Sequence, residues 1–277
     1  MSRRRSPADT TRRRSVPATR PRNLGVNALI ARLPTSRPCI CLDYDGTLVP
    51  IASKPELATF EESGRVLLRN LARHMPLAIV SGRARAALRS LVGVRGLVYV
   101  GNHGLEIAGP RIIHLARPPR NWRGDLERMT RAIEASAPPN VVVERKGLSV
   151  SIHYRLLDGA TRRRWVRQTW TRLTAWSAAQ HLHAVRGKAV FELRPFGGWN
   201  KGSAVRWLLS QPSWRGRTPI YLGDDMTDED AFEAVRADGI GILVGPPRIT
   251  AAKYRVSDWN AARELLGKWL FAMSRSV

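Results

Sequence analysis

Four short segments carry residues whose types and spacing could do chemistry. Asp43-Tyr44-Asp45-Gly46-Thr47-Leu48 sets two carboxylates two residues apart. Ser81-Gly82-Arg83 offers a hydroxyl beside backbone amides, and Asn200-Lys201-Gly202 offers an ammonium. Gly223 to Asp230 packs five acids into one stretch: Asp224, Asp225, Asp228, Glu229 and Asp230. Each has an ordinary explanation taken alone: a turn, an N-cap serine, a surface lysine, a solvated acidic loop. Together they describe a site for phosphoryl transfer. So much like charge is unfavourable unless a cation balances it, and carboxylate oxygens suit Mg²⁺, which also binds substrate phosphate. On this reading Asp43 attacks phosphorus and forms an acyl phosphate. Asp45 protonates the leaving oxygen, then takes a proton from the attacking water. Asp43 and Asp224 bind the metal through side chains and Asp45 through its backbone carbonyl, while Asp225 and Asp228 are further ligands or hold the ligands in place. Ser81 and Lys201 hold the phosphoryl oxygens.

The elements that must position these residues follow from the apolar runs before them. Residues 39–42, 77–80, 97–100, 220–222 and 240–244 are short continuous apolar runs, each ended by Gly or a polar residue. Such runs suit strands buried on both faces. Helical patterns at 61–73, 84–91, 201–209 and 228–235 alternate with them. Alternation of this kind predicts an α/β fold, a Rossmann-like parallel sheet with right-handed crossovers. Its chemistry sits beyond the carboxyl ends of the strands, where Asp43, Ser81 and Asp224 fall. Cys39 and Cys41 alternate along the first run and read as small buried hydrophobes, free thiols of a reducing cytoplasm.

Residues 107–195 read differently. A short strand at 111–115, amphipathic helices at 122–135 and 161–179, and hairpins turning at Lys146-Gly147 and Gly187-Lys188 predict an inserted α+β domain. Residues 23–106 and 196–277 form the core domain around it. Along 148–155, Ser149, Ser151, His153 and Arg155 share one strand face, and further on Val190, Glu192 and Arg194 share another. A polar sheet face of this kind could cover the site and bind sugar hydroxyls, or simply face solvent. Asn102, His103 and Glu106, at the end of a core strand, either touch the substrate or build a turn.

Composition narrows the classes further. The 277 residues are 43% hydrophobic, enough for a core, yet no apolar run approaches the ~20 residues of a membrane helix. The net charge of +24 suggests a polyanion partner, but the first 22 residues alone hold eight arginines against the single acid Asp9. That segment lacks large apolar residues and is expected to be a disordered tail. Nucleic acid binding through the tail is the rival from another class.

The motif set resembles the haloacid dehalogenase-like phosphatases, and the insertion is similar to their type-two α+β caps. Finer features look like the trehalose-6-phosphate phosphatases. These are Pro50-Ile51 after the first motif, Gly101-Asn102-His103-Gly104-Leu105-Glu106, Glu192-Leu193-Arg194-Pro195, Trp199-Asn200-Lys201-Gly202, and Gly223-Asp224-Asp225-Met226-Thr227-Asp228-Glu229. The resemblance covers Cys39 to the C-terminus and leaves out the Arg-rich extension. It implies a Mg²⁺-dependent enzyme of trehalose biosynthesis. It adds Gly82, Arg83, Arg145, Lys146, His153 and Glu192 to Asn102, His103 and Glu106 as residues around the sugar phosphate. The nearest alternative substrate is another sugar phosphate: sucrose, mannosylglycerate or glucosylglycerate phosphate.

Overall fold

The computed structural model describes residues 18–51, 59–117, 120–179, 182–187, 189–195 and 199–275. Residues 1–17 of the expected tail lie outside them. The end of that segment is not a free tail. Thr19 and Arg22 form β-bridges to Thr250 and Tyr254, and the Arg22 N–H donates to the Lys253 carbonyl at 3.1 Å.

Among the described residues the large sheet has eight strands. Its centre is β1 (Pro38–Asp43), flanked by β2 (Leu77–Val80) and β10 (Thr218–Gly223). Beyond β2 lies β3 (Val98–Gly101), and beyond β10 lie β11 (Ile240–Val244) and β12 (Tyr254–Val256), all parallel. Strand β1 is buried at every position because its alternate side chains enter different cores. Ile40 and Leu42 face one core with α1 (Val26–Ile30), α2 (Glu62–His74), α3 (Arg85–Val92) and α8 (Trp259–Ser274). Cys39 and Cys41 face the other, with α6 (Lys201–Ser210) and α7 (Glu229–Val235), and both thiols are free.

The expected boundary of the insertion at residue 107 needs correction. Strands β4 (Glu106–Gly109) and β5 (Ile112–Leu115) form a hairpin that extends the large sheet antiparallel to β3. Ile107 and Ile112 pack into the core on the α6 side, so this hairpin belongs to the sheet that it edges.

The second sheet has four antiparallel strands in the order β6 (Val142–Arg145), β7 (Val150–His153), β9 (Val190–Pro195), β8 (Leu182–Gly187). Helices α4 (Trp122–Glu134) and α5 (Gly159–Ala179) cover one face. Leu148, Val150, Ile152 and Tyr154 turn to that face and pack with Phe191, Leu193, Trp122 and Trp165. The opposite face carries Ser149, Ser151 and Glu192, all buried against the large-sheet domain.

Candidate active site

The loops after β1 and β10 bring the two acidic motifs together. Gly46 has φ +88°, a left-handed conformation, and a side chain there would collide with the Asp224 carboxylate. Glycine is therefore needed both for the turn and for the approach of Asp224 to β1. Ligand oxygens of Asp43, Asp224 and Asp228 all lie within 4.8 Å of one another, and all three residues are buried.

Lys201, at the first turn of α6, enters this cluster. Its Nζ donates to Asp43 Oδ1 and to Asp228 Oδ1, each at 2.7 Å. Asn200 caps the helix by accepting from the Ser203 N–H at 2.8 Å, which fixes where Lys201 leaves the backbone. Asp228 is saturated with donors. Its Oδ1 also accepts from the Tyr221 hydroxyl at 2.6 Å, and its Oδ2 accepts from the N–H groups of Asp224 at 3.1 Å and Asp225 at 2.9 Å. Asp228 thus ties the acidic loop to Lys201. Asp225 departs from the expected ligand set, since its carboxylate caps the following turn and accepts from the Met226 N–H at 2.8 Å.

Electrostatics follow from the count. Burial pushes the Asp43 carboxyl well above its ordinary range; Lys201 pulls it back, while Asp228 and Asp224 push it further up. Burial pulls the Lys201 ammonium down, but Asp228 and Asp43 outweigh burial and hold it above the ordinary lysine value. Among the described residues one ammonium, Lys201, pairs with two of these three buried carboxylates, and a divalent cation would offset their mutual repulsion. The all-oxygen donor set fits Mg²⁺.

Asp45 does not point its carboxylate into this cluster. Arg83 holds it bidentately, Nε to Oδ2 at 2.7 Å and Nη2 to Oδ1 at 2.6 Å. Ser81 is buried after β2 and its Oγ accepts from the Arg83 N–H at 3.1 Å, so it shapes the turn that presents Arg83. The alternative of an N-cap serine does not hold, because α3 starts only at Arg85.

A second cluster joins the two sheets. Glu192 pairs with His103 Nε2 and with Lys146 Nζ at 3.4 Å, and the hydroxyls of Ser149 and Ser151 reach its Oε1 at 3.4 and 3.5 Å. Lys146 Nζ also donates to the Gly82 carbonyl at 2.9 Å. Burial works against the Glu192 carboxylate, yet His103 and Lys146 outweigh it and hold the group well below the usual glutamate range. Gly82 permits this packing, since a side chain there would strike the His103 ring. Asn102 Oδ1 accepts from the Ser149 hydroxyl at 2.8 Å, while its amide group donates to Glu106. Glu106 also accepts from the Arg85 N–H at 3.3 Å. Asn102 and Glu106 therefore build the turn and its seam with the second sheet. Asn102 and His103 both take positive φ, 48° and 54°, a strained pair held by backbone bonds to Arg83 and Ser81.

Two strand neighbours exchange roles relative to expectation. Arg145 turns away from the site and pairs with Glu134 and Glu127 of α4. Glu144, not among the expected residues, turns toward it: its carboxylate meets His153 Nε2 at 3.0 Å and lies 4.0 Å from Lys146 Nζ. The period of two along β6 separates them. Had Lys146 been taken as the anchor, that alternation would have selected Glu144 and excluded Arg145. Arg194, nine per cent exposed on the polar face with Glu192, was likewise missed as a site residue.

Comparison with known proteins agrees with this architecture. The chain is 34% identical over 236 residues to a probable trehalose-phosphate phosphatase of Oryza sativa subsp. japonica, covering 81% of this chain and 64% of that protein's own length. It is 35% identical over 251 residues to the Zea mays trehalose 6-phosphate phosphatase RA3, covering 82% of this chain and 68% of that one. The fold superposes on the C-terminal domain of a Candida albicans trehalose-6-phosphate phosphatase with a TM-score of 0.80 at 23% identity, covering 92% of this chain and 99% of that domain. The family model for trehalose-phosphatase matches residues 41–259, from the strand that carries Asp43 to the start of α8, and the chain belongs to that family.

Proposed function

We propose that this protein hydrolyses trehalose-6-phosphate to trehalose and phosphate through a phosphoryl group carried on Asp43. The observation that carries the reading is the Lys201 ammonium bridging Asp43 and Asp228, with Asp224 beside them. Asp43 and Asp224 would hold Mg²⁺, with the Asp45 backbone carbonyl as a further oxygen. When bound, the ion neutralises charge on the phosphoryl oxygens and on the carboxylates.

The residues supply the remaining steps. An Asp43 oxygen bonds to phosphorus as the ester P–O bond breaks, and Asp45 gives its proton to the departing sugar oxygen. Water then attacks the acyl phosphate, Asp45 takes a proton back, and phosphate leaves with Asp43 restored. Lys201 and Ser81 steady the phosphoryl oxygens. Asp45 must leave the Arg83 guanidinium to act. Arg83 is then available to the substrate phosphate, so one movement serves both groups.

Sugar selection is assigned to the seam between the sheets. Glu192, Lys146, Glu144 and His153 present two carboxylates, an ammonium and an imidazole to ligand hydroxyls, and Gly82, Asn102, His103 and Glu106 form the opposite wall. The buried free thiols of Cys39 and Cys41 support a reducing compartment, the cytoplasm. No described helix is long and apolar enough to cross a membrane. The test is phosphate release from a panel of sugar phosphates. Trehalose-6-phosphate should be preferred, a chelator should abolish release and Mg²⁺ should restore it. Full activity in excess chelator, or a stronger preference for another sugar, contradicts the proposal.

A further inference from the structure

The helix-covered side of the second sheet holds a charge pattern that the phosphatase site does not use. Helix α5 carries five arginines and no acid along its 21 residues. Several arginines on other helices pair with carboxylates: Arg128 with Asp125, Arg131 with Glu127, and Arg69 with Glu62. Among the described residues no carboxylate pairs with an α5 arginine, and like charges one turn apart repel. Arg162, Arg163 and Arg167 line a cavity of about 350 Å³ beside α5, and Arg186 of β8 joins them. Among the described residues none of these four forms a salt bridge.

The cavity has an aromatic wall. Tyr154 and Trp170 line it; Trp170 is half-buried, stacked on Phe191 with ring centroids 5.4 Å apart. The Arg162 guanidinium lies 5.5 Å from the centre of the Tyr154 ring. This side of the sheet is remote from the Glu192 seam. Arg186 stands opposite Phe191 in the β8–β9 register and shares its face, whereas Glu192 points through the other face.

Guanidinium forks match phosphate oxygens, and an aromatic wall accepts a planar ring. The volume is at the size of small-ligand sites. We propose that this cleft between α5 and β8 binds a nucleoside diphosphate or triphosphate, with the phosphates among Arg163, Arg167 and Arg186 and the base against Trp170. A simple anion would use the charge and leave the ring wall unoccupied.

The test is calorimetric titration of the full chain, with Mg²⁺ present, using ADP, adenosine, pyrophosphate and a single-stranded oligonucleotide. ADP should bind saturably at one site and more tightly than adenosine or pyrophosphate. Arg163→Glu with Arg167→Glu should weaken ADP at least about tenfold, and Arg186→Glu alone about threefold or more. These residues are exposed, so thermal unfolding should match the parent, and phosphate release from trehalose-6-phosphate without ADP should be unchanged. Absence of saturable ADP binding overturns the proposal. Binding unaffected by the charge reversals does so too, since it places ADP in the phosphatase site. Pyrophosphate binding as tightly as ADP removes the role of the ring, and tighter binding of the oligonucleotide makes the face a nucleic acid surface instead.

Discussion

The acidic cluster below β1 and the Glu192 seam both bury charge, but they balance it differently. Below β1, three carboxylates lie together with Lys201 paired to two of them, and the Asp43 carboxyl is driven up. At the seam one carboxylate meets an imidazole, an ammonium and two hydroxyls, and the Glu192 carboxyl is driven down. The first region sets like charges against one another, which suits a site that would take up a divalent cation together with phosphate. The second is complete in itself. It can hold the two sheets closed without ligand, and a sugar must offer hydroxyls good enough to replace those internal bonds. Chemistry and selection are thus placed in regions with opposite electrostatic needs.

The largest effect expected from breaking this comparison is on the acidic side. Asp43→Asn keeps the shape but removes the nucleophile, so turnover should fall at least ~10⁴-fold on every phosphate ester, measured as phosphate release. Substitution at the seam should discriminate between substrates. Glu192→Gln should lower kcat/KM for trehalose-6-phosphate about 10–100-fold, the worth of a hydrogen bond to a charged group, while an aryl phosphate changes less than about threefold. Equal losses on both substrates would move Glu192 into the chemistry.

Stability offers a sharper contrast, because the two shifts have opposite sign. A carboxyl whose folded value is raised costs stability above its ordinary unfolded value, so at neutral pH Asp43 destabilises the chelated protein. A lowered carboxyl stabilises above the ordinary glutamate value, and that contribution is lost as pH falls through the folded value. In chelator at pH 7, Asp43→Asn should therefore raise Tm and Glu192→Gln should lower it, each by roughly 2–8 °C. Shifts of the same sign would remove the electrostatic distinction. The smallest effect is expected at Arg145, whose guanidinium faces α4: Arg145→Ala should leave kcat/KM within about twofold of the parent.

Much of the acidic side was legible from the chain because strand ends are local. The runs at 39–42 and 220–222 stop at or one residue before an acid, so Asp43 and Asp224 could be placed without tertiary knowledge. The structure brings Lys201 to them through a capped helix that Asn200 announces. Asp45 and Asp225 were recognisable as acids, but where their carboxylates point depends on Arg83 and on a turn, and spacing does not encode that. The seam was harder. Alternation indicated a polar face on β7 and β9, yet only the packing of the sheets distinguishes a buried face from a solvent face. The short strand expected at 111–115 misled for a related reason: nothing in its own residues says that it pairs with β4 at the edge of the large sheet. Strand β12 is only three residues long and carries too little pattern to detect alone.

The covalent step can be observed directly. Asp45→Asn spares the nucleophile and removes the base that assists hydrolysis, so the intermediate should accumulate on a substrate with a good leaving group. Acid quenching after one turnover, followed by peptide mass mapping, should find the phosphoryl group on Asp43 alone and lose it in the Asp43→Asn/Asp45→Asn double variant. A phosphoryl group on another residue, or one that persists in the double variant, would contradict the assignment of Asp43 as the nucleophile.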